Sequence, residues 1–405
     1  MSSVVIAGDT SGTITLDAPA VAGTTVLTLP ATSGTVLTSA SATVGANGIT
    51  FSDGSTQTAA ASPFSLKNRI INGDMVIDQR NNGASVTPAN GAYTIDRWYV
   101  AQTATASRFS VQQNAGAVTP PAGFTNYLGA TSLSAYSVAA TDQYALRQLI
   151  EGFNVADLAY GTASAATITL SFWVRSSLTG TFGGALYNQA NDKSYVFSYT
   201  ISAANTWQRI SITVPGDTAT ALATNNSASL LINLSIGYGT TFSRSFTGTW
   251  VSGFFGSVTG ATSVVGTNGA TFYITGVQLE RNTTATPFEW LPISTELALC
   301  QRYYWKFTGP SFAGVCAGYS NSTTGGNFII KYPVTMRAAP TFSNGGLSIN
   351  NTAGNYAVTS VASGYAGTDT AFTSITVASG LTAGQGCIMT INSAGTGFLD
   401  GTSEL

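Results

Sequence analysis

The sequence predicts an all-β protein in three parts, and three observations carry that prediction. The composition is rich in Gly (44), Tyr (17) and Phe (20) with only 8% charged residues, and short β-branched runs recur throughout. Several stretches alternate apolar and polar residues strictly, with Gly, Asn or Asp turns between them. The first 66 residues repeat a Gly-Thr-apolar unit every eleven positions.

At 405 residues the chain can hold two or three domains with real cores. Its 15 basic and 17 acidic residues leave a net charge of −2, which gives nucleic acid no electrostatic footprint. Charge is thin at both ends: Asp9, Asp17 and Asp53 alone precede Lys67, and Asp369, Asp400 and Glu404 alone follow Arg337. Such ends are expected to bury their apolar faces between subunits. Met1-Ser-Ser lacks the basic start of a secretory signal, and no apolar run approaches the ~20 residues of a membrane span, so no membrane insertion is expected. Cys300, Cys316 and Cys387 are odd in number with no CxxC pair, which predicts reduced thiols in a protein made in a cytoplasm. The absence of histidine excludes His-based triads, His general bases and most zinc sites.

In chain order, Gly12-Thr-Ile-Thr-Leu, Gly23-Thr-Thr-Val-Leu and Gly34-Thr-Val-Leu-Thr each read as one strand plus a turn. A unit that small cannot bury its apolar face alone, but three chains side by side can bury it together, so residues 1–66 read as an attachment or shaft segment of a homotrimer; the alternative, a flexible Gly/Thr-rich linker, would waste the alternating apolar positions. Asp53-Gly54 marks a hairpin between Ile49/Phe51 and the Thr/Gln run that follows. Residues 67–292 read as one antiparallel β-sandwich. Ile168, Leu170, Phe172 and Val174 share a face of one strand, opposite Trp173 and its polar neighbours. Tyr195, Phe197, Tyr199 and Ile201 share another; Ile210, Ile212 and Val214 a third; and Leu230, Ile232, Leu234, Ile236 and Tyr238 a fourth. Asn154–Leu158 reads as one capped helical turn and Ser294–Arg302 as a short helix, with 293–307 linking to a small β-domain over 308–405.

Asn68–Trp98 concentrates charge, with Arg69, Asp74, Asp78, Arg80, Asp96 and Arg97. Two clustered acids could serve glycoside hydrolysis. An Arg beside each acid favours local ion pairing, and no cleft is legible, so no enzyme is expected. Glu280 and Glu289 read as structural. Asp217, in a Pro-Gly-Asp-Thr turn, could cap or hold calcium, but no multi-acid loop is legible; neither a metal site nor a cofactor is assigned.

Asn68–Trp98, Gln278–Pro292 (QLERNTTATPFEWLP), Glu296–Phe307 and Tyr332–Ser343 resemble segments of phage tail-fibre and receptor-binding proteins. The run SFWVRSS, WQRISITVP and FYITGVQLE resembles galactose-binding-like carbohydrate modules of jelly-roll fold, over about half of the chain. The resemblance implies a virion tail fibre, assembled in the host cytoplasm, attached to tail or baseplate proteins through its N-terminal segment and adsorbing to host-surface glycan without catalysis. A capsid or tail decoration protein is the rival, and a polysaccharide-degrading tailspike a further one. Sugar faces stack on aromatic rings flanked by amides, so the candidate glycan contacts are Trp173, Tyr187, Asn188, Trp250 and Phe254, each of which could instead be a core plug.

Overall fold

A computed structural model describes residues 66–103 and 107–405, together with five short strands before them. The chain divides into two compact units, Met1–Phe64 and Ser65–Leu405. Strands make up 45% of the chain and helices 6%, which makes it an all-β protein.

In the first unit β1 (Ser3–Ala7) pairs antiparallel with β2 (Thr13–Asp17). The strand β3 (Ala42–Gly45) pairs with β4 (Gly48–Phe51), and β4 with β5 (Thr56–Gln57). The repeats at Gly23 and Gly34, and the Asp53-Gly54 turn itself, lie outside the described residues.

The second unit opens with the sandwich. One sheet has seven strands, in the order β17 (Val251–Ser252), β13 (Lys193–Ile201), β12 (Gly180–Asn188), β15 (Ala228–Tyr238), β10 (Gln143–Glu151), β7 (Trp98–Gln102) and β6 (Tyr93–Ile95). The other has five, in the order β14 (Gln208–Val214), β11 (Ile168–Ser176), β19 (Thr271–Glu280), β9 (Leu128–Ser132) and β8 (Phe109–Gln113). All pairings within both sheets are antiparallel, so each strand turns alternate side chains to the other sheet and to the outside. The inner faces supply one continuous core, including Trp98, Phe172, Phe182, Phe197, Leu234 and Phe272. Ile168, Leu170, Phe172 and Val174 are all buried, as their period of two predicts, and so are Leu230, Ile232, Leu234 and Ile236. Two short strands, β16 (Ser243–Arg244) and β18 (Ser257–Val258), pair parallel, and Val258 packs on the outer face of the seven-stranded sheet.

Asn68–Trp98 is mostly irregular chain that closes one end of the sandwich. Asn72 adopts a positive φ of 58°, and its buried amide donates to the carbonyls of Ile77 (2.8 Å) and Asp96 (2.9 Å). Gly73 lets the chain press onto β19: a Cβ there would lie 2.2 Å from the Val277 carbonyl oxygen. The local Arg–Asp pairs expected of this stretch do not form. Arg69 pairs with Asp157 at 2.6 Å, Arg80 with Glu404 at 2.7 Å, and Arg97 also with Glu404. Asp78 instead accepts the amides of Asn81 and Gly83, while Asp96 accepts both the backbone amide and the side-chain amide of Gln79. Asp78 closes a turn, Asp96 holds Gln79, and the arginines reach elements distant in sequence.

The helix α1 (Ile293–Gln301) begins after Pro292, so Ser294 lies in the first turn and does not cap it. At the other expected helical turn, two 3-10 turns, Gly152–Asn154 and Ala156–Leu158, are found without a side-chain cap. Next, β20 (Tyr304–Thr308) pairs with β28 (Phe398–Thr402), and β28 with β23 (Thr341–Gly345). Tyr304–Phe307, assigned to a linker by sequence, is thus a strand of the terminal module. Beyond it β21 (Gly314–Ser320), β22 (Gly325–Lys331), β26 (Thr370–Val377), β25 (Gly354–Ala366), β24 (Leu347–Asn351) and β27 (Gly386–Ile391) close into a barrel around a second core that includes Phe328, Ile349 and Met389. Cys300, Cys316 and Cys387 are free thiols.

Candidate functional site: an aromatic cleft on the five-stranded sheet

The outer face of the five-stranded sheet is interrupted at β19. Ser171 faces Gln278 and Trp173 faces Thr275, so Gly276 and Val277 together oppose the single residue Phe172. Gly276 takes φ 60°, the left-handed conformation of a glycine bulge, which bends a strand and re-aims the side chains around it. A Cβ at Gly276 would lie 2.5 Å from the Phe124 ring and 3.2 Å from that of Trp173. The missing side chain is what allows these two rings to approach over the strand.

Two irregular segments complete the cleft. The segment between β8 and β9 carries Phe124 and is pinned by Trp207, whose indole N–H donates to the Thr119 carbonyl at 2.9 Å. The segment after β19 carries Phe288 and Trp290. The buried carboxylate of Glu280 fixes it by accepting the Thr286 amide (2.8 Å) and hydroxyl (2.7 Å). Between the two aromatics, Glu289 receives the amide of Asn68 at 2.8 Å and gives its own amide to Gln278 at 2.8 Å. Both acids therefore hold the scaffold.

Phe124, Phe288 and Trp290 form a triangle of rings with centroids 4.7–5.2 Å apart. Trp290 is 53% exposed. Arg209 lies directly across from Trp173 on β14 and donates to the Thr286 carbonyl at 2.5 Å. With Ala122, Gly123, Gly276 and Pro287 these side chains line a cleft of about 240 Å³. Its lining offers flat rings, one guanidinium and no carboxylate. Such a surface can stack on the C–H face of a ring and donate hydrogen bonds to its rim. It holds no acid–base pair.

No family model matches the chain. No curated protein matches it either. Solved structures similar to it include the enzymatically active domain of bacteriophage CBA120 tailspike protein 4, with 13% identity over 53% of this chain and a TM-score of 0.30. The matched region spans only 21% of that tailspike chain. TmCBM61 in complex with β-1,4-galactotriose is similar over 53% of this chain and 99% of its own, with 10% identity and a TM-score of 0.28. A family 11 carbohydrate-binding module from Clostridium thermocellum, in complex with a β-1,3-1,4-mixed-linked tetrasaccharide, covers 47% of this chain and 93% of its own, with 10% identity and a TM-score of 0.24.

Of the residues singled out by sequence, only Trp173 lies in the cleft. Tyr187 and Phe254 meet on the outer face of the other sheet, 5.0 Å apart and edge to face, with the Tyr187 hydroxyl donating to Asp192 at 2.9 Å. Asn188 is fully buried; its amide donates to the Ala221 carbonyl and its side-chain oxygen accepts the Ala190 amide, so it clamps a turn. Trp250 packs against the sandwich core, between the rings of Tyr160 and Tyr195, with its N–H on the Pro215 carbonyl at 2.8 Å. Its ring is half-buried, with one side packed on the core. Asp217 accepts the Thr220 hydroxyl and the Ala219 amide (2.9 Å), and pairs with Lys193 at 3.4 Å: it caps a turn. Sequence reasoning missed Phe124, Phe288 and Trp290. A lone Gly inside the β-branched run of β19 was the readable sign of a bulge, and Phe-Glu-Trp just beyond that strand was the sign of displayed rings.

Proposed function

We propose that this protein binds glycans without cleaving them, at the cleft formed by Trp173, Trp290, Phe124, Phe288 and Arg209. The carrying observation is the half-exposed Trp290 packed beside two further rings, in a cleft that also holds the Arg209 guanidinium on the Thr286 carbonyl. About half of the Trp290 surface faces water, where a sugar ring gains a stacking partner. The absence of a carboxylate from the lining supports binding over hydrolysis, since glycosidic cleavage ordinarily uses two.

The phage-fibre resemblance of the flanking segments supports placing this activity in host adsorption from a virion. A homotrimer would then multiply weak sugar contacts through effective concentration. The direct test is to present the full chain with a panel of neutral and acidic bacterial surface polysaccharides and to measure retention, release of reducing sugar and mass by light scattering. The proposal expects retention lost in Trp290→Ala, no reducing sugar, and a particle of three times 41.5 kDa. Reducing sugar released in proportion to protein would identify a depolymerase. Retention unaltered in both Trp290→Ala and Trp173→Ala would remove the cleft from the function.

A further inference from the structure

The terminal barrel carries an apolar row on its outer face. Strand pairing sets Ile329 beside Phe372, and Phe372 beside Tyr365, across β22, β26 and β25. The register of β21 on β22 brings Ala317 beside Ile329, and Ala317 pairs with Ile388 of β27. Tyr365 is 82% exposed, Ile329 63%, Ile388 51% and Phe372 36%, and the rings of Tyr365 and Phe372 lie 6.3 Å apart. Tyr319, two positions from Ala317 on the same face, adds another half-exposed ring, and Asn327, Ser374 and Ala362 line up beside it. Lys331 is the only charged residue in all six barrel strands. The row crosses five strands of a closed barrel, so no free strand edge lies beneath it and any contact is made through side chains.

Monomers rarely leave more than a few hundred Å² of contiguous apolar surface uncovered. At about 150–250 Å² per aromatic side chain, Tyr365 and Tyr319 alone expose roughly 200–330 Å², before the two isoleucines and Phe372 are added. The strand beneath Tyr365 is thinly covered as well. β25, at 13 residues the longest described strand, has no buried residue: Tyr356, Val358 and Val361 pack on the barrel core yet stay half-buried. The absence of charge decides what can cover this face. A charge pressed against it would lose its water with nothing to match it. About a quarter of the residues of an ordinary protein are charged. In this chain 8% are, and in the barrel strands one residue alone. A second copy of the chain therefore presents what the row requires, an equally uncharged barrel face. We infer that this outer face of the barrel is where copies of the chain pack against one another. The inference rests on the homotrimer proposed above and gives it a contact in the terminal module.

The experiment is hydroxyl-radical footprinting of the full chain beside light scattering, with a tyrosine-containing peptide as the labelling reference. At a concentration where scattering reports three times 41.5 kDa, Tyr365 should be labelled at least tenfold more slowly than the reference, although a single chain leaves it 82% exposed. The double variant Ile329→Lys/Phe372→Lys puts charge on the row at two positions outside the barrel core. It should raise the concentration of half-dissociation at least tenfold and uncover Tyr365. Should the double variant not fold, the wild-type footprint alone decides. An assembled wild type whose Tyr365 is labelled as fast as the reference overturns the inference and leaves the homotrimer standing through another surface. A wild type that stays monomeric overturns both. Tyr365 still protected in the folded double variant overturns the inference, and so does protection that appears only when phosphatidylcholine vesicles are added, which would assign the face to a lipid surface.

Discussion

Replacing Glu404 by Gln should uncouple the terminal module from the sandwich at a cost that the structure sets. Arg97 is 1% exposed and stacks 3.6 Å above the Tyr303 ring, with its Nη2 on the Leu149 carbonyl at 2.6 Å. Its counter-charge is Glu404, whose other oxygen pairs with Arg80 at 2.7 Å. Removing one partner of a buried pair typically costs about 3–5 kcal/mol, because the remaining charge stays buried and unmatched. Arg80 is partly exposed, and solvent screens its share, so the lower half of that range applies. At about 2.1 cal/mol/K of unfolding entropy per residue, a loss of ~3–4 kcal/mol in a unit as large as Ser65–Leu405 lowers the melting temperature by about 4–6 °C. Scanning calorimetry of Glu404→Gln checks this. The double variant Arg97→Met/Glu404→Gln should recover part of the loss, since it leaves Arg97 no charge to strand. A single variant that melts within a degree of the parent would refute the clasp.

Three further outcomes follow from the same geometry. Burial holds the protons of Asp96 and Glu296 up to about 7, against 3.8 and 4.5 for exposed groups; between those limits the folded chain keeps protons that the unfolded chain has lost. Their contribution is therefore full below about pH 4 and is lost as pH rises from there through 7, by up to ~1.4 kcal/mol per pH unit for each group, and the melting temperature should be higher at pH 5 than at pH 8. A melting temperature that climbs over that interval would contradict it. Gly276→Ala forces a Cβ at positive φ against Phe124 and Trp173, and should cost about 1–3 kcal/mol in chemical denaturation while abolishing cleft binding. Because Cys300, Cys316 and Cys387 are free, reductant should leave the melting curve unchanged, and a drop of several degrees would reveal a disulfide.

The sandwich strands were legible because each buries one face, and burial on one face writes a period of two into residues such as Ile168–Val174 and Leu230–Ile236. The ion pairs were not. Arg80 and Glu404 stand 324 positions apart, and no local spacing announces a partner at that distance. The cleft was half legible: Trp173 declared its outward face through strand alternation, but Phe124, Phe288 and Trp290 sit in irregular chain, where no period tells a displayed ring from a packed one. Trp250 shows the converse. A glycine-rich loop suggested display, while its position between Tyr160 and Tyr195 depends on how that loop folds back on the core.

The measurement that tests the central claim most directly is glycan affinity and melting temperature taken together on Trp290→Ala and Trp250→Ala. A ligand platform and a core plug respond oppositely. Trp290→Ala should lose most of the affinity and, because half of the ring is exposed, lower the melting temperature less than Trp250→Ala does. Trp250→Ala, at a half-buried site against the core, should lose about 1.5–3 kcal/mol of stability and, while folded, bind as the parent does. Should Trp290→Ala bind as tightly as the parent, or Trp250→Ala alone lose affinity at unchanged stability, the cleft on the five-stranded sheet is not where this protein meets its ligand.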